Sequence, residues 1–185
     1  FEGTIALVRN EREVNPTIEK LSMATVVGVD LEWYAPRAAG VNPDSTALLQ
    51  ICSDHDFCAI FFMKEIGMKM SADLVAFSCN PNIQKVGHNL QGDKTKLHKE
   101  FPELGGKFGP CVEVTSLTQH PTQRQTLAAL VKSTLGKVID KDLGGGALSN
   151  WNDRPLDKDQ TSNAATDAFA GLALFEALSP AWRPL

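Results

Sequence analysis

The chain has 185 residues, 43% of them hydrophobic and 22% charged. That balance belongs to a folded globular chain and excludes long intrinsic disorder, and no run approaches the roughly 18 apolar residues a membrane span needs. A net charge of −4 excludes a protein that coats nucleic acid by bulk positive charge, though not one that grips a strand end through metal ions and a local basic patch.

Taken in chain order, Thr4 to Arg9 ("TIALVR") reads as a first strand and Asn15 to Met23 as a short helix, with Ile18, Leu21 and Met23 on one side. Ala24 to Trp33 ("ATVVGVDLEW") is Val-rich and bounded by polar residues, the pattern of a central strand. Thr46 to Cys52 and Asp56 to Phe62 are two more strands, and the link Ser53-Asp54-His55 is a hairpin signal. These three strands predict an antiparallel meander. Helical spacing follows over Met63 to Phe77 (Ile66, Met70, Leu74, Phe77), a short buried strand at Lys85 to Asn89, and a helix at Gly92 to Phe101. Pro110 to Leu117 is strand-like, Leu127 to Leu135 is helical and stops at Gly136, and Gly144, Gly145 and Gly146 mark a loop. Thr161 to Leu178 is the last helix, with an apolar stripe of Ala165, Ala168, Leu172 and Phe175. Strands followed by alternating helices and strands predict an α/β or α+β sheet domain.

The length suits one compact domain over residues 1–185. The chain begins at Phe1 rather than Met, so a piece of a longer protein is expected, and no signal peptide is visible. Cys52, Cys58, Cys79 and Cys111 lack zinc spacing. Buried free thiols are expected, with one disulfide as the alternative, and unpaired cysteines favour an intracellular compartment, nuclear or cytoplasmic.

Three acidic features carry the chemistry. Asp30 and Glu32 are two apart in an apolar strand and so project from one face. Two carboxylates side by side are costly unless neutralised, and a hard divalent cation is the natural counter-ion; a strand end emerging into solvent is the alternative. Asp93 lies where a strand and a glycine-containing turn lead into a helix, a position at which an Asp can also serve as a helix cap. Asp167 sits in a helix among Ala164, Ala165, Ala168 and Ala170, where solvent exposure is the plain alternative to a ligand role.

Together "FEGTIALV", "VVGVDLEW", "ALLQIC", "KVGHNLQGDKTKL", "TLAALVKSTLGKVIDK" and "SNWNDRPLDKDQTSNAATDAFAGLALFEAL" resemble, in order and spacing, a 3′–5′ exonuclease domain of the ribonuclease-H-like DEDD superfamily. The resemblance is to the branch containing ribonuclease D and the Werner syndrome exonuclease. It implies an α/β fold, a ribonuclease-H-like (DnaQ-like) mixed β-sheet with helices packed on both faces. It implies two Mg²⁺ or Mn²⁺ ions on Asp30, Glu32, Asp93 and Asp167, and two-metal-ion hydrolysis that releases mononucleotides from single-stranded or recessed 3′ ends of DNA or RNA. Further domains or protein partners are expected, and no membrane.

The family's Tyr, four residues before the last Asp, is here Asn163, and a second branch's His, five before, is here Ser162. Tyr34 is the chain's one Tyr and lies outside that slot. The resemblance therefore implies Asn163 in the water-orienting role with reduced activity, or a weak or inactive domain that binds strand ends or partners. His88 and His98 are alternative polar groups near the second motif. Leu31 and Trp33 are candidate contacts to the terminal base, with core packing as the alternative. Lys94, Lys96, Lys132, Lys137 and Lys141 are candidate phosphate contacts, and Ser116 stands where relatives often have an Asp. Trp151 is expected to anchor the loop before the last helix.

Overall fold

Hydrophobic periodicity turns into six strands and five α-helices in a computed structural model that describes residues 1–34, 43–119, 121, 125–140 and 149–179. In chain order they are β1 (Thr4–Val8), α1 (Glu11–Leu21), β2 (Val26–Glu32), β3 (Leu48–Cys52), β4 (Phe57–Phe62), α2 (Ala72–Cys79), β5 (Gln84–Gly87), α3 (Leu90–Glu100), β6 (Cys111–Glu113), α4 (Leu127–Leu135) and α5 (Lys158–Leu178). The strands form one sheet in the order β1-β4-β3-β2-β5-β6. Only β3 is reversed: it pairs antiparallel with β2 and β4, while β1–β4, β2–β5 and β5–β6 are parallel. The expected meander is thus β2-β3-β4. Its β3–β4 turn is tied by Asp54, whose Oδ1 accepts from the Asp56 N–H at 2.7 Å, a local Asx turn.

The strand period of two sorts side chains to two faces. Val27, Val29, Leu31, Leu49, Ile51, Ala59 and Phe61 pack with Val14, Ile18 and Leu21 of α1, Leu74 and Phe77 of α2, and Leu90 and Leu97 of α3. On the other face Leu48, Cys52, Cys58, Ile60 and Phe62 pack with Ala164, Ala165 and Ala168 of α5, and Val26 and Val86 pack with α4 and the second half of α5. Each fully buried large apolar side chain in these layers contributes about 1.5–3 kcal/mol.

Helix α5 approaches the sheet through small residues. Gly28 lies under the Ala168 carbonyl and Gly87 lies against Gly171. A Cβ added at Gly28 collides with that backbone oxygen, so Gly28→Ala must lift α5 from β2. The variant is expected to lose more than about 2 kcal/mol, read as a fall in the urea midpoint at unchanged slope.

Three expectations are corrected. Met63 to Phe77 is not one helix: Gly67 (φ 89°) and Met68 (φ 51°) turn the chain in the left-handed region, and α2 begins after the Ser71 cap, whose Oγ accepts from the Leu74 N–H at 3.2 Å. Ile66, Met70, Leu74 and Phe77 are nevertheless all buried; their spacing reports the core they face. Pro110 to Leu117 is strand only over Cys111–Glu113, then closes into a 3₁₀ turn over Val114–Leu117. Cys52 stands opposite Cys58 across the β3–β4 ladder, Cα atoms 4.0 Å apart, and the two form a disulfide. Only Cys79 and Cys111 are free, so cysteine usage no longer argues for a reducing compartment.

Helix α4 starts at its Thr126 cap and ends at Gly136 (φ 66°), as the sequence predicts. Trp151 is 1% exposed and packs in the α5-side core. Gly144 to Gly146 and Lys141 lie outside the described residues. Among the described residues, no helix is long and apolar enough to cross a membrane.

Candidate active site

Because Val27, Val29 and Leu31 face the α1–α3 side, Asp30 and Glu32 face the α5 side at the carboxyl end of β2. Helix α5 brings Asp167 to them. Ligand-capable oxygens of Asp30, Glu32 and Asp167 all lie within 4.8 Å of one another, and each residue is half-buried. The alternatives of a strand end in open solvent and a solvent-facing helix acid are therefore not what the fold provides. Asn163 is 4% exposed, one helical turn before Asp167, and so lies on the same stripe of α5.

Asp93 lies outside that triad and occupies the first turn of α3. It is not the helix cap. The cap position is Asn89, a left-handed residue (φ 63°) with no side-chain cap bond, and the Leu90 N–H is instead satisfied by Glu113 Oε2 at 2.9 Å. Asp93 is 4% exposed and its Oδ2 has no hydrogen-bond partner. Burial, and then the charge of Glu113, push its carboxyl up to about 7. Strands β2, β5 and β6 are mutually parallel through β5, so Asp30, Glu32, Asp93 and Glu113 all gather at the same carboxyl edge of the sheet, where open α/β sheets bind ligands.

The donors suit hard divalent cations: they are carboxylate oxygens with no soft ligand among them, and a buried oxygen lacks a protein partner. These residues fit such ions.

The other candidates are scattered. Leu31 is 4% exposed, in the core on the face opposite the acids. Trp33 is half-buried against the same core. The Lys96 ammonium lies 4.8 Å from its ring centroid. Lys96 also donates to Glu100 at 2.7 Å and to the Asp44 carbonyl at 2.8 Å. It braces the segment after the first acidic motif and is not held out for a phosphate. Burial pushes the Glu100 carboxyl up, but bonds from Lys96 and from the Thr46 N–H and hydroxyl outweigh it and hold the group below its ordinary value. Lys94 is half-buried near Cys111: burial pushes that thiol up, and the Lys94 charge offsets part of the rise. His88 Nε2 lies 2.8 Å from the Gln125 carbonyl, His98 Nε2 is buried without a partner, and Ser116 donates to the Glu113 carbonyl at 2.6 Å. A cavity of about 710 Å³ opens beside α5, lined by Phe1, His55, Val138 and Phe169 among others; none of the four acids lines it.

Two residues were missed in the sequence. Glu113 supplies both the α3 cap and the charge beside Asp93; its signal was an acid ending a short strand. Gln50 stands directly opposite Asp30; its signal was a lone amide inside "ALLQIC".

Residues 5–182 match the 3′-5′ exonuclease family. Over 164 residues the chain is 32% identical to the bifunctional 3′-5′ exonuclease/ATP-dependent helicase WRN of Mus musculus, covering 86% of this chain and 11% of that protein. The chain spans 42% of the length of a 3′-5′ exonuclease of Drosophila melanogaster and 54% of one of Drosophila grimshawi, to which it is 29% and 27% identical. Among solved structures, the Nibbler EXO domain of Aedes aegypti superposes with a TM-score of 0.81 at 22% identity, covering 96% of this chain and 89% of that one. RNase D of Trypanosoma brucei, in complex with RNA U12, gives 0.80 at 18%, covering 97% and 63%. The fold is the ribonuclease-H-like α/β sheet with helices on both faces. Matched over nearly its whole length and carrying the acidic cluster at the expected sheet edge, the chain belongs to the 3′–5′ exonuclease family.

Proposed function

We propose that this chain, one domain over residues 1–185, is a metal-dependent 3′–5′ exonuclease that hydrolyses terminal phosphodiesters and releases mononucleotides from DNA or RNA. The observation that carries this reading is the meeting of Asp30, Glu32 and Asp167 within 4.8 Å, from β2 and α5, in a chain of this family. These three carboxylates together with Asp93 would hold two divalent ions, Mg²⁺ or Mn²⁺. When bound, such ions supply the Lewis acidity for activating water and for stabilising the leaving 3′ oxygen. Asn163 offers its amide oxygen to the attacking water but has a shorter reach than a Tyr hydroxyl. Trp33, half-buried beside the first motif, is the aromatic available to a terminal base, and Lys94 is the cation available to the backbone. Leu31 packs in the core on the face opposite the acids, which favours the packing alternative for it.

The substrates are single-stranded or recessed 3′ ends; the RNA complex of the trypanosomal RNase D supports strand binding by this fold. Such substrates put the work inside the cell, in nucleus or cytoplasm, and further domains or protein partners belong to the same reading. A second reading rests on Asn163 itself: a buried amide where the resemblance expects Tyr favours a weak nuclease that mainly binds strand ends or partners.

Strands labelled at the 5′ end, DNA and RNA, test both readings. With Mg²⁺ or Mn²⁺ a ladder shortening from the 3′ end is expected, absent in EDTA and reduced about 10³-fold or more in Asp30→Ala. Strand retention without shortening, by folded protein that Mn²⁺ still stabilises, would establish the second reading.

A further inference from the structure

Gln50 is the one side chain in β3 whose chemistry the core does not explain. It is 0% exposed, and neither Nε2 nor Oε1 has a hydrogen-bond partner. Its neighbours in the strand, Leu49 and Ile51, point into the α1–α3 core, so Gln50 points to the α5 side. There it stands directly opposite Asp30 on β2, with Ile60 of β4 on its other flank. Directly opposed residues on one face of an antiparallel pair have Cβ atoms about 4.5–5.5 Å apart, so the Gln50 side chain leaves the sheet next to that of Asp30, on the face that carries the acidic cluster. Burying both ends of an amide without partners is costly, and an apolar residue of the same volume would avoid the cost. The amide is thus matched to a group that the protein itself does not supply.

We propose that Gln50 is a positioning residue of the acidic site: its amide hydrogen-bonds a hydration water of the divalent cation held at Asp30, Glu32 and Asp167. The inference rests on the metal reading above. Outer partners of this kind fix the ligands and typically set metal affinity by about 10–100-fold. Gln50 differs from Asn163 in that it comes from the sheet and not from α5, so the two amides address the cluster from different walls.

Titration calorimetry with Mn²⁺ and melting curves in EDTA and in Mn²⁺, on wild type, Gln50→Met, Gln50→Asn and Asp30→Asn, test this without any activity measurement. Gln50→Met keeps the volume and removes both polar atoms. Its Mn²⁺ affinity is expected to fall about 10–100-fold, while its melting temperature in EDTA stays level or rises. Gln50→Asn, with a shorter reach, is expected to weaken Mn²⁺ binding similarly, and it carries the test if the Met variant does not fold. Wild-type Mn²⁺ affinity in both variants overturns the proposal. So does an equal loss of melting temperature in EDTA and in Mn²⁺, which marks a structural amide. If wild type itself gives no Mn²⁺ binding and matches Asp30→Asn, the metal reading falls and this inference falls with it; if wild type binds and the Gln50 variants bind equally, only the inference falls.

Discussion

Asn163→Tyr is expected to raise the rate of 3′-end shortening by about 10²–10⁴-fold, the usual contribution of a group that positions or deprotonates the reacting water. The position supports the substitution. Asn163 lies on α5 one turn before Asp167 and is 4% exposed, so a longer side chain there is directed along the same stripe as the last acid. The Asn amide oxygen can accept from a water, but it ends closer to the helix axis than a Tyr hydroxyl would. Asn163→Phe separates filling from chemistry, since it adds similar bulk without a hydroxyl and is expected to give no gain. Crowding at a buried position costs about 1–3 kcal/mol, so melting curves accompany the rates. A folded Asn163→Tyr protein no faster than wild type would mean that another group already orients the water.

Much of this site was legible because it depends on local periodicity. Asp30 and Glu32 are two apart in an apolar strand, and period two alone places them on one face. The Gly136 stop of α4 and the hairpin at Ser53-Asp54-His55 rest on turn chemistry confined to a few residues. What was not legible depends on pairings across the sheet. That Cys52 meets Cys58, that Gln50 stands opposite Asp30 and that Glu113 reaches the Leu90 N–H are facts of register, between residues 6 to 23 positions apart in the chain. The apolar spacing of Met63 to Phe77 shows the opposite failure. Burial made it look helical, while Gly67 and Met68 impose a left-handed turn that hydrophobic pattern does not report. Asp93 stands in the first turn of α3, where sequence alone cannot separate a cap from any other role; that it is not the cap shows only through Glu113, which arrives on β6.

Asp93 should make the metal-free protein less stable as pH rises, and divalent cations should reverse the trend. Burial and Glu113 hold its folded-state pKa at about 7, above the roughly 3.9 of an unfolded Asp. Between those values the folded protein keeps a proton that the unfolded chain releases. This group's contribution is therefore fully present below about pH 4 and is lost as pH climbs through 7, a change on the order of a few kcal/mol. A bound cation needs the carboxylate ionised, so Mn²⁺ affinity should rise over the same interval. Melting curves from pH 5 to 8, with EDTA and with Mn²⁺, read both trends. Asp93→Asn keeps the shape and removes the proton equilibrium. It is expected to flatten the metal-free profile, to melt above wild type at pH 8 in EDTA, and to lose most of the Mn²⁺ gain. Glu113→Gln keeps an acceptor for the Leu90 N–H and removes the neighbouring charge, so it should move the inflection to lower pH without abolishing it. An unchanged slope in Asp93→Asn would assign the titration to another group. An inflection unmoved in Glu113→Gln would leave burial as the sole cause of the raised pKa, and would separate the α3 cap from the electrostatics of the site.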